Sequence, residues 1–200
     1  MWIQTILATF FLGSFFALII FEFLYQWVYR FPERTDREVV PCLRDMNLNE
    51  LKDLLNLAEE GYLRLNLSPE AFRKEQRHRI GLVLEYYGRM THNAVLLQEW
   101  AANELRKSRK TRNGEVNSVS TELNDICVEF RICTFFTKMR LRAWLFRIKA
   151  LPFISIPFLA EARRIDSFDL VYSYERIKQA AEKLSRTCGS SYQGQLAQGM

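Results

Sequence analysis

The sequence predicts an all-α protein in which a single N-terminal transmembrane helix precedes a cytoplasmic helical bundle of about four main helices. The chain opens on a long uncharged apolar run, and later apolar residues recur at three- and four-residue spacing. With only 8 Gly and 5 Pro among 200 residues, the chain has too few turn formers for a sheet-rich architecture. These observations predict one membrane anchor and one helical domain.

The anchor is predicted from the uncharged stretch between Trp2 and Phe21, because a helix of that length crosses a hydrocarbon layer of about 30 Å. Aromatic residues alternate after Glu22, and Tyr and Trp favour the headgroup region, so the anchor with its interfacial edge occupies residues 1–29. A cleaved signal peptide is disfavoured because no basic residue precedes the run and no small-residue cleavage site follows it.

The basic residues near the anchor predict its orientation. None precedes the apolar run, whereas Arg30, Arg34, Arg37 and Arg44 follow it closely. By the positive-inside rule, the N-terminus lies outside and the bulk of the chain is cytoplasmic, as in a single-pass membrane protein. In that reducing compartment the four cysteines, which show no CxxC spacing, are expected to be reduced and mostly buried thiols.

Beyond the anchor the chain divides into a linker, a helical domain and a tail. Pro32 and Pro41 interrupt any long helix in residues 30–46, which we interpret as the linker. The helical domain is expected over residues 47–188. Residues 189–200 have the Gly-, Ser- and Gln-rich composition of a disordered end.

Capping signals place the first two helices of the domain. Asn47 or Asn49 is expected to cap a helix that ends at Gly61. The Ser-Pro-Glu triplet at 68–70 supplies a capping hydroxyl, a first-turn proline and an acid near the positive end of the helix dipole. It predicts a second helix that runs to about Arg109.

The second helix has an amphipathic pattern over residues 80–105. Placed at 100° per residue, its apolar side chains lie on one broad face. The polar residues opposite, among them His92, Glu99 and Asn103, are expected to face solvent. The pattern therefore predicts a core helix with one solvated side.

A basic run ends this helix and forms a candidate patch for anionic ligands: Arg106, Lys107, Arg109, Lys110 and Arg112. The favoured interpretation is favourable charge at a helix C-terminus, followed by a solvated Asn-Gly loop. The alternative is a surface for phosphates or anionic lipid.

The third helix, expected from Ser118 or Ser120 to Ala150, is apolar on two opposite sides. One face comprises Ile126, Phe130, Leu141, Trp144, Leu145 and Ile148; the other comprises Val128, Ile132, Phe135, Phe136, Met139, Ala143 and Phe146. Narrow, mostly basic stripes run between them. A helix apolar on both sides is normally covered on both, which favours a central helix of the bundle. The alternative is that one face meets lipid or a partner subunit.

An uncharged segment, residues 150–160, follows. It is too short to cross a bilayer, and its two prolines prevent a regular helix. It is either a buried connector or a contact with the interfacial layer. With the neighbouring basic residues it gives the candidate membrane or partner contact: Lys138, Arg142, Arg147, Lys149, Phe153, Ile154, Ile156 and Phe158. A last helix is expected to begin at Ser167 and to close at Gly189.

The sequence offers little for catalysis, and no catalytic residue, metal ligand or cofactor is assigned. His78 and His92 would lie about 21 Å apart on one helix, too far to share a metal ion. Arg73 and His78 match the Arg-x4-His spacing of HEPN-type ribonucleases, a spacing that an arginine-rich chain reaches easily by chance. An enzyme is therefore the less favoured class.

Three functions are compatible with these patterns. The favoured hypothesis is a membrane-tethered accessory protein that binds a partner protein, or self-associates, through apolar helix faces. The first alternative is a module that binds or remodels a lipid surface through the basic stripes and residues 150–160. The second is a HEPN-like ribonuclease. The expected partners are the bilayer, through residues 2–21, and a protein or second copy, with anionic lipid also considered and nucleic acid disfavoured.

Overall fold

A computed structural model describes residues 34–150 and 167–189. The chain divides into two compact units, Met1–Pro32 and Glu33–Met200, and the described residues all belong to the second. The expected anchor, the segment 151–166 and most of the tail lie outside the described residues. In the part of the chain that the structure describes, no helix combines the length and the apolar character that crossing a bilayer requires.

Six α-helices and one 3₁₀ turn make up the described residues, which contain no strand and confirm the all-α prediction. The helices are α1 (Asp36–Val39), α2 (Leu48–Leu54), α3 (Leu57–Asn66), α4 (Pro69–Thr111), α5 (Gly114–Ala150) and α6 (Ser167–Thr187), with the 3₁₀ turn at Val40–Cys42. Three of them, α4, α5 and α6, are long and form the bundle.

The first predicted helix of the domain is two helices in the structure. Asn47 caps α2 as expected, because its side chain accepts two backbone N–H groups of the first turn. Asn56 then caps α3 by accepting the N–H of Ala58. Gly61 lies inside α3, so the prediction that it ends a helix is wrong. A second cap only nine residues after the first divides the segment.

The ends of the long helices follow local capping chemistry. Ser68 accepts a backbone N–H in the first turn of α4, as predicted. Arg112 ends α4 in the left-handed conformation, with φ 55°. Asn113 then accepts the N–H of Val116, so α5 begins at Gly114, about one turn before the predicted serines. A two-residue connection therefore joins the two longest helices.

Helices α4 and α5 form an antiparallel hairpin. Arg131 of α5 donates to Gln98 of α4 over 2.7 Å, and Lys138 donates to Thr91 over 2.9 Å. Residue numbers thus rise along α5 as they fall along α4. This pairing is the most extensive helix contact in the described chain.

Helix α6 packs antiparallel to α5. Lys183 lies 2.8 Å from Glu122, and the ring of Tyr174 lies 5.7 Å from that of Phe130. Continuing this register places Ser167, the first residue of α6, opposite about residue 137 of α5. Helix α6 therefore covers only the first two thirds of α5.

The core lies where α4, α5 and α6 meet. Its fully buried large side chains include Tyr87, Met90, Leu97, Trp100, Leu123, Phe130, Tyr174, Ile177 and Leu184. They recur at helical spacing on each helix, so one stripe per helix supplies the core. Leu51 and Leu55 extend it under α2.

Residues 34–46, expected as a linker, lie against α4 and contribute Val39 and Met46 to the core. Polar side chains of α4 hold the start of this segment. Asn103 donates to the backbone carbonyl of Arg34 over 2.9 Å, and the Arg34 guanidinium lies 3.0 Å from Glu99. The expectation that Glu99 and Asn103 face solvent is wrong, because the segment buries both.

Asn93 holds the other end of this segment. Its side chain accepts the N–H of Arg44 and donates to the carbonyl of the same residue, each over 2.8 Å. It also donates to the hydroxyl of Tyr174 over 2.8 Å. One buried amide therefore ties the segment, α4 and α6 together.

Candidate functional site

The two apolar sides of α5 meet different surroundings. Ile126, Phe130 and Leu141, on the first side, are buried against α4 and α6. The second side is mostly exposed, and we call four of its residues the uncovered face of α5: Ile132, Phe136, Met139 and Phe146. Phe136 is 58% exposed and Phe146 is 72% exposed. Large apolar side chains are rarely left in water to this extent in one row.

Packing explains why this face is open within the described residues. Helices α4 and α6 both contact the opposite half of α5, so neither reaches the row from Ile132 to Phe146. That row spans fourteen residues, or about 21 Å at 1.5 Å per residue. The rings of Phe135 and Phe136 stand edge to face with centroids 5.6 Å apart, which gives one end of the row an aromatic cluster.

Basic side chains border the uncovered face on both sides. Arg140 and Arg147 project along one flank at helical spacing, and Lys138 and Arg142 along the other. No acidic residue occurs in the sequence between Glu129 and Glu161. The face is therefore an apolar strip in a positive frame.

Two of the bordering cations are held in place by neighbours. Lys138 is half-buried and donates to Thr91 of α4, and burial, with a smaller contribution from Arg142, lowers the pKa of its amine to about 8. The guanidinium of Arg147 lies 5.9 Å from the centre of the Trp144 ring, within cation–π range. The frame thus includes a lysine that gives up its proton more readily than usual.

The candidate contact predicted from sequence is located only in part. Lys138, Arg142 and Arg147 border the uncovered face, as described above. Lys149 belongs to the last turn of α5, but its side chain lies outside the described residues, as do Phe153, Ile154, Ile156 and Phe158. The exposed phenylalanines of α5 supply most of the apolar surface, so this side of the helix is not covered as the favoured interpretation expected and fits the alternative.

The basic run at the end of α4 has mostly local roles. Lys107 pairs with Glu104 over 2.7 Å, one turn away. Arg112 is the left-handed C-cap, and Arg109 and Lys110 are exposed in the last turn, where positive charge offsets the helix dipole. Arg106 is exposed in the same region. These contacts fit the helix-terminus interpretation of the run.

Arg131 is buried, although its helical spacing places it on the same side of α5 as Lys138 and Arg142. Its guanidinium donates to Gln98, which in turn donates to Asn124 over 3.2 Å. Burial lowers the pKa of Arg131 to about 10, although the nearby charge of Glu99 opposes this. The arginine therefore joins the two helices of the hairpin from inside and is not part of the basic frame.

Arg73 and His78 do not converge in the structure. They lie five residues apart on α4, about 140° around the helix, and so project to different sides. Arg73 donates to the carbonyl of Pro69 one turn earlier, over 3.1 Å. Among the described residues there is also no cluster of His, Cys, Asp or Glu able to hold a metal ion.

Comparison with known proteins gives no relative from which a function could be carried over. No protein-family model, curated protein sequence or solved structure matches the chain.

Proposed function

We propose that this protein is a membrane-tethered module whose helical domain binds an anionic lipid surface through the uncovered face of α5. The observation that carries the proposal is one row of four large apolar side chains, exposed on a helix and bordered along its length by Lys138, Arg140, Arg142 and Arg147. The anchor expected in residues 1–29 would hold this domain close to such a surface.

The composition of the face matches that of helices that lie in a membrane interface. Such helices bury Phe, Leu or Trp at the level of the headgroups and place Lys and Arg beside the phosphates. Each basic residue near an anionic leaflet contributes about 1 kcal/mol of attraction. Arg140, Arg142 and Arg147 together would therefore add about 3 kcal/mol to the burial of the phenylalanines.

Charge also argues against self-association through this face. Two copies meeting across a two-fold axis would bring the same arginines together, with Glu129 at the start of the row as the one carboxylate of α5 on these flanks. A partner protein with an acidic rim would match the charge equally well. The experiment that follows distinguishes lipid from protein as what covers this face.

The test uses the full chain in vesicles, with its four native cysteines replaced and a fluorophore attached at Phe136→Cys. Brominated lipid reports contact with acyl chains, and iodide reports contact with water. In vesicles that contain phosphatidylserine we expect strong quenching by brominated lipid and protection from iodide. In phosphatidylcholine alone, lipid quenching should fall several-fold because the electrostatic attraction is lost.

The matched control is a label at Tyr172→Cys, which replaces an exposed aromatic residue of α6. This label should be quenched by iodide in both kinds of vesicle. Quenching of the Phe136 label by iodide in both lipids contradicts the proposal. Protection of that label from both quenchers also contradicts the proposal, because it means that protein, either another part of this chain or a second copy, covers the face.

A further inference from the structure

Two neighbouring cations on one flank of α5 have no acidic partner. Lys138 and Arg142 are four residues apart, so their side chains leave the helix next to each other on one side. Arg142 is exposed, and Lys138 is half-buried with the neutral hydroxyl of Thr91 as its hydrogen-bond acceptor. Within the described residues, neither cation pairs with a carboxylate. The two positive charges therefore repel each other without compensation.

The acids that could have compensated this pair lie elsewhere. On α4, Glu85 and Glu99 are about two turns away on either side of the contact with Lys138, and each is paired with an arginine of its own, over 2.6 and 3.0 Å respectively. On α5 and after it, the sequence contains no acid in residues 130–160. Burial and the neighbouring charge of Arg142 lower the pKa of Lys138, and no carboxylate offsets them.

Hydrogen-bond donors of both side chains are available to a ligand. The Lys138 ammonium has three N–H donors, and Thr91 accepts one of them over 2.9 Å, which fixes the direction of the amine. Thr91 is itself held, because its hydroxyl donates to the carbonyl of Tyr87 over 2.6 Å. The remaining two ammonium donors stand beside the Arg142 guanidinium, whose planar fork binds phosphate in bidentate fashion. The pair is therefore suited to a multivalent oxyanion.

Exposed apolar side chains adjoin the two cations. Met139 and Phe146 of the uncovered face lie three and four residues from Arg142, and so beside it on the helix surface. They are 52% and 72% exposed. A ligand bound here meets positive charge and apolar surface together. A phospholipid presents both features in one molecule, whereas a free phosphate presents only the first.

We propose that Lys138 and Arg142 bind the phosphomonoester headgroup of a lipid such as phosphatidic acid, whose acyl chains lie against the uncovered face of α5. A phosphomonoester carries about −1.5 to −2 charges at neutral pH and offers three acceptor oxygens, enough to neutralise and to bond both cations. The phosphodiesters of phosphatidylserine and phosphatidylglycerol have less charge and fewer free oxygens, so they leave one cation uncompensated. The inference rests on the proposed function, because it names the lipid class that the same face selects.

Native mass spectrometry of the full chain in mild detergent tests this selection. Phosphatidic acid and phosphatidylglycerol with identical acyl chains are titrated separately, and each bound lipid is identified by its mass. The additional charge-assisted hydrogen bonds should make phosphatidic acid bind about 10- to 100-fold more tightly. Equal affinities for the two lipids overturn the inference.

Substitutions on the two flanks of α5 separate the pair from overall charge. Lys138→Gln removes the charge but keeps a donor toward Thr91, so the fold is retained, and we expect the preference for phosphatidic acid to disappear. Arg140→Gln is the matched control, because it removes an exposed cation from the opposite flank. This control should keep the preference, as should Lys138→Arg, which preserves the charge. Equal losses in Lys138→Gln and Arg140→Gln overturn the inference.

Thr91→Val tests the geometry of the site. Valine keeps the shape of threonine but cannot accept the hydrogen bond from Lys138, so the amine loses its fixed direction while its charge remains. We expect phosphatidic acid to bind several-fold more weakly and phosphatidylglycerol to bind as before. An unchanged affinity for phosphatidic acid would contradict the site, because it would mean that Thr91 does not position the amine.

Two further outcomes separate the inference from its alternatives. Inorganic phosphate should not displace phosphatidic acid, because it has no acyl chains to lie against Met139 and Phe146. Complete displacement would show that phosphate alone is recognised, as in a phosphorylated protein segment, and would overturn the lipid assignment. The vesicle experiment with the label at Phe136→Cys decides the proposed function separately. If brominated lipid quenches that label while phosphatidic acid shows no preference, this inference alone fails.

Discussion

Replacing Asn93 with alanine should release residues 34–46 from the bundle. Asn93 is fully buried on α4, and its amide accepts the N–H of Arg44, donates to the carbonyl of Arg44 and donates to the hydroxyl of Tyr174. Alanine keeps the helix but makes none of these bonds. Three polar groups of the surroundings then lose a partner at once.

The expected cost follows from these three bonds. Each intramolecular hydrogen bond contributes about 0.5–1.5 kcal/mol net, and an orphaned buried group costs about 1–3 kcal/mol. The better helix propensity of alanine returns only about 0.5 kcal/mol. We therefore expect Asn93→Ala to lower the free energy of unfolding by about 2–4 kcal/mol.

Urea unfolding of the full chain in mild detergent measures this loss as a lower midpoint at unchanged slope. Asn66→Ala is the matched control, because Asn66 is exposed and donates only to the carbonyl of Tyr62 in its own helix. The control should change stability by less than about 0.5 kcal/mol. A loss below about 1 kcal/mol for Asn93→Ala would refute the role assigned to this amide.

Three further outcomes follow from burial and charge. Phe130→Ala should cost about 3–5 kcal/mol of unfolding free energy, whereas Phe136→Ala, on the uncovered face of α5, should cost less than about 1 kcal/mol. Burial lowers the pKa of Lys138 from 10.5 to about 8, so the unfolded chain binds this proton more tightly than the folded chain does. The free energy of unfolding should therefore rise as the pH rises from about 8 to 10.5, and Lys138→Met should abolish that rise. Alkylation followed by mass spectrometry should modify exposed Cys133 rapidly and Cys127 only on unfolding, because burial raises the pKa of the Cys127 thiol.

Each of these outcomes has a clear contrary result. Equal losses for the two phenylalanines would mean that another part of the protein covers the uncovered face of α5. A pH profile of Lys138→Met identical to that of the wild type would remove Lys138 as the titrating group. Rapid alkylation of Cys127 in the folded chain would show that the contact between α5 and α6 opens readily.

Local signals in the sequence located the long helices well. The Ser-Pro-Glu triplet at 68–70 predicts the start of α4, and the capping of α4 by Ser68 confirms it. Capping depends on a side chain and the backbone two or three residues away, so a short window of sequence contains all that is needed. The two apolar sides of α5 were visible for the same reason.

Local signals of this kind could not predict which polar residues are buried. Asn93 and Asn103 bond backbone groups 49 and 69 residues earlier in the chain, and no local pattern records such partners. Periodicity assigned Glu99 and Asn103 to solvent, and residues 34–46 cover them. The burial of Glu60 in α3 has the same origin, because it depends on Gln76 in the following helix. The side of α5 that stays open could not be read locally either, because it depends on the side against which α4 and α6 pack.

Because residues 34–46 are clamped on α4, they do not act as a free linker between the helical bundle and the residues before Arg34. Thirteen free residues would add about 45 Å of extended length. Held at Arg34 by Glu99 and Asn103, and at Arg44 by Asn93, they add almost none. In the proposed membrane-tethered arrangement, these residues would therefore add nothing to the reach of the domain, and loosening the clamp would enlarge that reach without altering the uncovered face of α5.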